Sequence, residues 1–224
     1  QPHPQYGGTM NNKVVVDTFH TFMDNDFSVC RVNFRGVGKS DGEFDNGQGE
    51  LADAAAALDW LERENFDNSQ CWVSGFSFGS LIAMQLLMRR PEINRFISIS
   101  PQPNVYDFSF LSPCPTSGLM IYGKKDELVP LEYITELDKR LSSQKGIKVE
   151  FQSVPEANHF FSRTEESLIK NLDKYIKKET ALYWKFFTNL PPTVGVLQPV
   201  VFGYDIGNCK YDLIERYPNA CDSI

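Results

Sequence analysis

The chain has 224 residues, of which 42% are hydrophobic and 13% aromatic, enough to bury the core of a single domain. Its formal net charge of −7 gives no basic surface for nucleic acid or for an anionic membrane. Its apolar stretches are short and interrupted, so the sequence predicts no membrane-spanning helix. We therefore expect a globular protein that binds neither nucleic acid nor a membrane.

The cysteines indicate a reducing compartment. Their number is odd, their spacing is irregular and no Cys-x-x-Cys occurs among Cys30, Cys71, Cys114, Cys209 and Cys221. Such a set does not suggest a disulfide framework and is typical of reduced thiols inside the cell. The sequence therefore predicts a cytoplasmic protein.

Turns, helices and strands alternate along the chain. Prolines and a glycine pair within residues 1–8 predict an opening turn, and Thr9 is a candidate N-cap for the first helix. His20 lies in that helix and is expected at or near its surface. The predicted helices span residues 13–23, 50–61, 80–90, 131–141 and 164–178. The predicted strands span residues 27–34, 70–74, 95–100, 118–123 and 147–151.

This alternation predicts an α/β fold with a mostly parallel sheet and helices on both faces. We assign residues 1–180 to one domain and leave residues 181–224 as an unassigned C-terminal tail.

Two loops resemble motifs that bind phosphate or calcium, but each lacks a residue that its motif requires. Gly38-Lys39-Ser40 lacks the earlier glycine of a phosphate-binding loop, and residues 41–50 lack the glycine at the sixth position of an EF-hand.

A glycine-flanked serine joins the strand over 70–74 to the helix over 80–90. Residues 75–79 are Gly-Phe-Ser-Phe-Gly, a Gly-x-Ser-x-Gly pattern. Such a strand-to-helix turn strains the backbone at the serine and lifts its hydroxyl clear of the sheet. The N-terminus of the following helix favours negative charge beside the hydroxyl. The pattern predicts that Ser77 is a nucleophile; the alternative is a chance pentapeptide in a turn.

Two later residues continue the order serine, carboxylate, histidine that a hydrolase of this kind requires. Asp126 follows the strand over 118–123, and His159 follows the strand over 147–151. Both are therefore expected at the carboxyl edge of the sheet, where open α/β sheets build their sites. His159 is also the only histidine after Ser77.

The chemistry of these residue types indicates their roles. A neutral His159 would take the proton of Ser77 as it attacks a carbonyl and return it to the leaving group. Asp126 would hold the imidazole in the required tautomer. Glu127 and Glu156 are rival carboxylates, and the alternative for His159 is a loop histidine without a catalytic role.

Two further sets of residues would complete a site. Of the two backbone N–H groups that an oxyanion hole requires, Phe78 is the candidate for one and the opening turn for the other. Proline has no N–H, so the second donor is His3 or Gln5, and we favour His3. The expected substrate pocket is lined by Phe76, Pro101, Tyr106 and Phe108. The alternative for the connection over 101–117 is packing beneath a long loop.

Several motifs together resemble one family. They are His3-Pro4-x-x-Gly7-Gly8-Thr9-Met10-Asn11-Asn12-Lys13, Asn33-Phe34-Arg35-Gly36-x-Gly38-x-Ser40-x-Gly42, the Gly-x-Ser-x-Gly of residues 75–79, Gly123-x-x-Asp126-x-x-Val129-Pro130 and Ala157-Asn158-His159-Phe160-Phe161. From residue 1 to about residue 178, the chain resembles the small bacterial α/β-hydrolases related to dienelactone hydrolases and serine aminopeptidase-like proteins. The resemblance implies a Ser77–Asp126–His159 triad, with no metal and no organic cofactor.

The resemblance also bears on both ends of the chain. Proteins of this family have strands before the His-Pro loop, whereas this sequence begins inside that loop, so the sheet is expected to lack its N-terminal strands. Residues 181–224 lie beyond the resemblance. They are interpreted as an appended hairpin, as a patch over the gap in the sheet or as a sequence from a misjoined reading frame.

Two functional hypotheses remain at this point. The first is a serine hydrolase that cleaves an ester, thioester or amide of a small-molecule acyl substrate through an acyl-enzyme. The second is a non-catalytic binding domain or an inactive fragment of such an enzyme. A nucleotide-binding role for residues 38–40 is a weak third.

Overall fold

The computed structural model describes residues 1–65 and 70–187. Its α-helices are α1 (Lys13–Met23), α2 (Gln48–Glu64), α3 (Phe78–Leu87), α4 (Leu131–Ser142) and α5 (Glu165–Phe187). Its strands are β1 (Cys71–Phe76), β2 (Ile93–Ile99), β3 (Gly118–Gly123) and β4 (Val149–Val154). Short 3-10 helices occur at Pro4–Tyr6 and Ser109–Leu111.

The four strands form one parallel sheet in the order β1-β2-β3-β4. Helix α3 connects β1 to β2, and α4 connects β3 to β4, while the connection from β2 to β3 contains only the second 3-10 helix. Because the strands are parallel, all four carboxyl ends lie at one edge of the sheet. The loops that leave this edge begin after Phe76, Ile99, Gly123 and Val154.

The core has two apolar layers, one on each face of the sheet, as the alternation of side chains along a strand requires. Helices α2, α3 and α4 cover the face that carries Val73, Phe96 and Met120. Helices α1 and α5 cover the face that carries Trp72, Ile97 and Leu119. The sheet is therefore buried on both sides, and the predicted α/β arrangement with helices on both faces is confirmed.

The helix boundaries differ from the predicted ones where capping is decided locally. Asn12, not Thr9, caps α1, because the Asn12 side chain accepts a hydrogen bond from the N–H of Val14. The Thr9 hydroxyl instead accepts from the N–H of Asn11, within the preceding turn.

Helix α5 continues to Phe187, past the domain boundary placed at residue 180. The rest of the unassigned tail, from residue 188 onward, lies outside the described residues.

The predicted strand over residues 27–34 is not part of the sheet. This segment is extended, with a single bridge at Arg31, and β1 pairs only with β2 within the described sheet. Its apolar side chains nonetheless divide between the two layers as in a strand, with Cys30, Val32 and Phe34 in one and Phe27 and Val29 in the other. The pattern predicted how the side chains pack, but it does not specify whether the segment joins the strands β1 to β4.

In the described part of the chain, none of the helices is long and apolar enough to cross a membrane.

Candidate active site

Ser77 occupies a strained turn between β1 and α3. Its backbone has φ 56° and ψ −119°, which is uncommon for a residue with a side chain. The Ser77 N–H donates to the carbonyl of Ile99 at 2.9 Å, and the N–H of Ser80 donates back to the Ser77 carbonyl at 2.9 Å. These bonds hold the strained residue between the end of β2 and the first turn of α3.

Gly75 allows the chain to fold back this sharply. A Cβ atom at position 75 would lie 2.0 Å from the carbonyl oxygen of Gly79, in the first turn of α3. No side chain can be accommodated at that distance, so the first glycine of the Gly-x-Ser-x-Gly pattern is a steric requirement of the turn.

Asp126 lies in the loop after β3, with a side chain that is only 4% exposed. Its Oδ1 accepts hydrogen bonds from the N–H groups of Leu128 and Val129, at 2.8 and 3.0 Å. Two backbone donors on one oxygen fix the carboxylate and leave its other oxygen, Oδ2, to face His159.

The loop of Asp126 contacts the loop after β4. The N–H of Lys125 donates to the carbonyl of Ala157 at 2.9 Å. Gly123 makes this contact possible, because a Cβ at that position would lie 2.2 Å from the same carbonyl oxygen. The glycine at the end of β3 therefore lets the two loops approach, and Asp126 and His159 with them.

His159 is buried and lies between the other two side chains. Its Nδ1 is 2.7 Å from Asp126 Oδ2, and its Nε2 is 2.9 Å from Ser77 Oγ. The ring packs beside Phe76 and Phe160, with centroid distances of 5.6 and 5.1 Å. The sequence-predicted Ser77, Asp126 and His159 thus form a continuous hydrogen-bonded chain.

The geometry determines the tautomer of a neutral His159. An ionised Asp126 can only accept, so the Nδ1 atom carries the proton and donates to Oδ2. The Nε2 atom then presents a lone pair to Ser77 Oγ. A base lone pair directed at a hydroxyl in a strained turn can receive the hydroxyl proton as the oxygen attacks an electrophile.

Neither rival carboxylate takes the place of Asp126. Glu127 is exposed to solvent. Glu156 forms a surface ion pair with Lys125, and its side chain is 70% exposed.

The opening turn lies against the first turn of α3. The carbonyl of Gln1 accepts from the N–H of Gly79 at 2.9 Å, and the His3 ring lies 5.0 Å from the Phe78 ring. Burial lowers the pKa of His3, while the carboxylate of Glu50 acts in the opposite direction. A neutral His3 suits its role in the turn, because its Nδ1 accepts a hydrogen bond.

The donor to His3 Nδ1 is the N–H of Gln5, at 3.2 Å, and this bond corrects one prediction. Gln5 was a candidate oxyanion donor, but its N–H is committed within the turn. Within the turn, the ring and the carbonyl of His3 accept hydrogen bonds, and the His3 N–H takes part in none of these bonds. At the start of α3, the N–H groups of Gly79 and Ser80 have carbonyl partners, whereas Phe78 occupies the first helical position, where no intrahelical acceptor exists.

The four expected pocket residues lie in different environments. Tyr106 is half-buried and packs edge to face on Phe78, with ring centroids 5.9 Å apart. Phe76 is 2% exposed and supports the His159 ring from within the sheet. Pro101 is also buried. Phe108 is 1% exposed and belongs to the apolar layer under α2 and α3, so for this residue the structure favours packing beneath the loop.

The glycine-rich loop over residues 35–42 is fastened to α2. The Arg35 guanidinium donates to both carboxylate oxygens of Asp53, at 3.1 and 2.8 Å. The loop does not lead directly into a helix, as a phosphate-binding loop does, since α2 begins only at Gln48.

Within residues 1–65 and 70–187, no group of three or more His, Cys, Asp or Glu side chains could hold a metal ion.

Comparison with known proteins identifies the family of the fold. The model of the alpha/beta hydrolase fold family matches residues 5–116. An uncharacterized protein from Rickettsia prowazekii is 49% identical over 179 residues, which are 78% of this chain and 75% of that protein. The chain belongs to the alpha/beta hydrolase fold family.

Two crystal structures are similar to the structure of this protein. A protein of unknown function from Agrobacterium tumefaciens, proposed as an alpha/beta hydrolase, has a TM-score of 0.78 and 50% identity over 80% of this chain and 83% of that chain. A Xanthomonas campestris protein described as an alpha/beta serine hydrolase without a lid has a TM-score of 0.72 and 30% identity. That similarity covers 79% of this chain and 78% of the other.

Two residues of this alpha/beta hydrolase were missed by the sequence analysis. Gln102 lies 3.1 Å from Ser77 Oγ, and the Ser100 hydroxyl donates to the His159 carbonyl at 2.9 Å. Both follow β2, whose carboxyl end lies at the same edge as Asp126 and His159. A polar residue after each strand of that edge was the available signal, but the connection over residues 101–117 was considered only for its pocket residues or as packing beneath a loop.

Proposed function

We propose that the protein is a serine hydrolase that cleaves an ester, thioester or amide of a small-molecule acyl substrate through an acyl-enzyme. One observation carries the proposal: Ser77, His159 and Asp126 form a hydrogen-bonded chain whose serine lies in a strained strand-to-helix turn. The protein's membership of the alpha/beta hydrolase fold family supports the same class of chemistry.

Acylation begins when Ser77 Oγ attacks the carbonyl carbon of the substrate. The hydroxyl proton passes over the 2.9 Å to His159 Nε2, and the imidazolium is stabilised by Asp126 at Nδ1. The bond from the carbonyl carbon to the leaving oxygen, sulfur or nitrogen then breaks, and Nε2 returns the proton to the leaving group. The acyl group is left as an ester on Ser77.

Deacylation repeats these steps with water as the nucleophile. His159 Nε2 takes a proton from the water as the oxygen attacks the acyl carbon. The bond to Ser77 Oγ breaks, Ser77 recovers the proton and the carboxylic acid departs. His159 is the protein group that takes up and returns the protons in this cycle, and we propose no cofactor.

The negative charge that develops on the carbonyl oxygen requires donors that are already in position. We assign these roles to the N–H groups of Phe78 and His3. Phe78 is at the N-terminus of α3, where the helix dipole also favours negative charge. The hydrogen bond from Gly79 to Gln1 keeps the His3 turn beside this helix end.

The acyl group would lie beside Tyr106, the half-buried member of the expected pocket.

The cysteine content supports the cytoplasm as the proposed compartment.

Hydrolysis of p-nitrophenyl acetate tests the proposal. We expect turnover by the wild-type protein and a loss of about 10⁴-fold or more in kcat/KM for Ser77→Ala and for His159→Ala. Ser80→Ala is the matched control, because it removes a neighbouring hydroxyl that contacts Ser98 and not His159. A folded wild-type protein without turnover would leave the binding domain or the inactive fragment as the better hypothesis. A Ser77→Ala variant with full turnover would instead refute Ser77 as the nucleophile.

A further inference from the structure

Among the described residues, Ser77 Oγ lies within hydrogen-bond distance of two side chains. One of them, His159, belongs to the triad with Asp126, and the other does not. His159 Nε2 lies 2.9 Å away and Gln102 Oε1 lies 3.1 Å away. Gln102 is half-buried and follows β2 at the carboxyl edge of the sheet. A neutral carboxamide in contact with the nucleophile can influence where the hydroxyl hydrogen points.

The backbone around Gln102 is firmly held. Its carbonyl accepts hydrogen bonds from the N–H groups of Val105 and Tyr106, at 3.0 and 2.9 Å. Pro101 and Pro103 flank it, and each proline ring fixes its own φ angle. The turn therefore presents the Gln102 side chain at a defined place beside Ser77.

Counting hydrogens shows that His159 and Gln102 compete for the hydroxyl hydrogen of Ser77. The hydroxyl of Ser77 has one hydrogen, whereas His159 Nε2 and Gln102 Oε1 are both acceptors. If the hydrogen points to Gln102, it does not point to the base. A half turn of the carboxamide exchanges its oxygen and its nitrogen at the same place. The NH₂ group then donates to Oγ, and the hydroxyl hydrogen is left for His159.

We infer that Gln102 is a positioning residue for the nucleophile, which supports catalysis when its NH₂ group donates to Ser77 Oγ and thereby directs the hydroxyl hydrogen to His159 Nε2. The orientation with Oε1 towards Ser77 is a resting arrangement that competes with the base. Gln102 itself gains and loses no proton. This role rests on the proposed function, since it requires that Ser77 be the nucleophile.

The test is the second-order rate at which a fluorophosphonate probe modifies Ser77, followed by intact mass. In Gln102→Met the side chain keeps its length and loses both hydrogen-bonding groups. Because a neutral hydrogen bond contributes modestly, we expect the rate to fall about twofold to tenfold at every pH.

Gln102→Glu supplies a readout that a purely structural role would not change. Its protonated carboxyl has an O–H donor, as the amide has N–H donors, but its ionised form only accepts and adds negative charge beside the oxyanion. We expect the ratio of its rate to the wild-type rate to rise as the pH falls towards about pH 4 and to be about tenfold or more lower at about pH 8. Taking the ratio removes the titration of groups that the new carboxylate does not influence.

Gln144→Met is the matched control. Gln144 also fastens the connection between β2 and β3, donating to the Leu111 carbonyl and accepting from the N–H of Cys114. None of the hydrogen bonds described for Gln144 involves Ser77. We expect its rate ratio to stay near one and to be independent of pH, even if the connection loosens.

Equal rates for Gln102→Met and wild type, or a Gln102→Glu ratio that is constant with pH, would overturn the role of Gln102 and leave the proposed function intact. A wild-type protein that the probe does not modify at Ser77 would overturn the proposed function and this inference with it.

Discussion

Replacing Asp126 by asparagine tests whether the carboxylate sets the tautomer of His159. In the native site, Oδ1 accepts from the N–H groups of Leu128 and Val129, while Oδ2 accepts from His159 Nδ1–H. Asparagine has only one oxygen. Directing it to the two backbone donors keeps two hydrogen bonds, whereas directing it to His159 keeps one. The asparagine NH₂ group is therefore expected to face His159.

That orientation forces a change at the base. Two donors cannot face each other at 2.7 Å, so His159 moves its proton to Nε2 and presents Nδ1 as an acceptor. The Nε2–H group then points at Ser77 and cannot take its proton. In serine proteases with a Ser-His-Asp triad, replacing the aspartate by asparagine lowers kcat about 10⁴-fold, which corresponds to an increase of about 5.4 kcal/mol in the activation barrier.

The assay is kcat/KM for p-nitrophenyl acetate, with thermal unfolding to establish that the variant is folded. We expect a loss of about 10³- to 10⁴-fold in Asp126→Asn. Asp107→Asn is the control, because Asp107 also accepts a backbone N–H in a turn, that of Ser109, and is exposed to solvent. A folded Asp126→Asn variant within about tenfold of wild type would refute the tautomer argument.

Two further predictions concern backbone approach and thiol burial. Gly123→Ala would place a Cβ 2.2 Å from the Ala157 carbonyl oxygen, so we expect it to separate Asp126 from His159 and to lower kcat/KM about 100-fold. Gly146→Ala is the control: Gly146 has a positive φ, but a Cβ there meets open space, so the change should cost about 1 kcal/mol of stability by thermal unfolding and leave the activity unchanged. Similar activity losses in both variants would contradict the steric argument. Burial, with the charges of Glu62 and Glu92, raises the pKa of Cys71 to about 12. We therefore expect iodoacetamide at about pH 8 to leave Cys71 unmodified in the native protein and to alkylate it in urea, and equal rates in both conditions would contradict its burial.

The elements that sequence could predict were those with local signals at both ends. Strand β3 has its predicted bounds, residues 118–123, because an apolar run there lies between glycines. The segment over residues 27–34 also sends its apolar side chains into the two layers in the manner of a strand. It lies outside the sheet because strand pairing depends on a neighbour distant in sequence.

The candidate site shows the same division. Chain order and the ends of β3 and β4 were enough to select Asp126 and His159, since parallel strands bring their carboxyl ends together. Gln102 could not be selected in this way, because its contact with Ser77 depends on the conformation of a proline-rich turn. Gln5 was retained as a donor because sequence does not reveal that the His3 ring accepts its N–H.

The most direct measurement of the proposed mechanism is peptide mapping after reaction with a fluorophosphonate probe. The probe forms a stable covalent adduct only with a serine that a neighbouring base activates. We predict one adduct, on the peptide containing Ser77, that is absent from Ser77→Ala and strongly reduced in His159→Ala. An unmodified Ser77 in the folded wild-type protein, or an adduct that persists in Ser77→Ala, would contradict the assignment of Ser77 as the nucleophile.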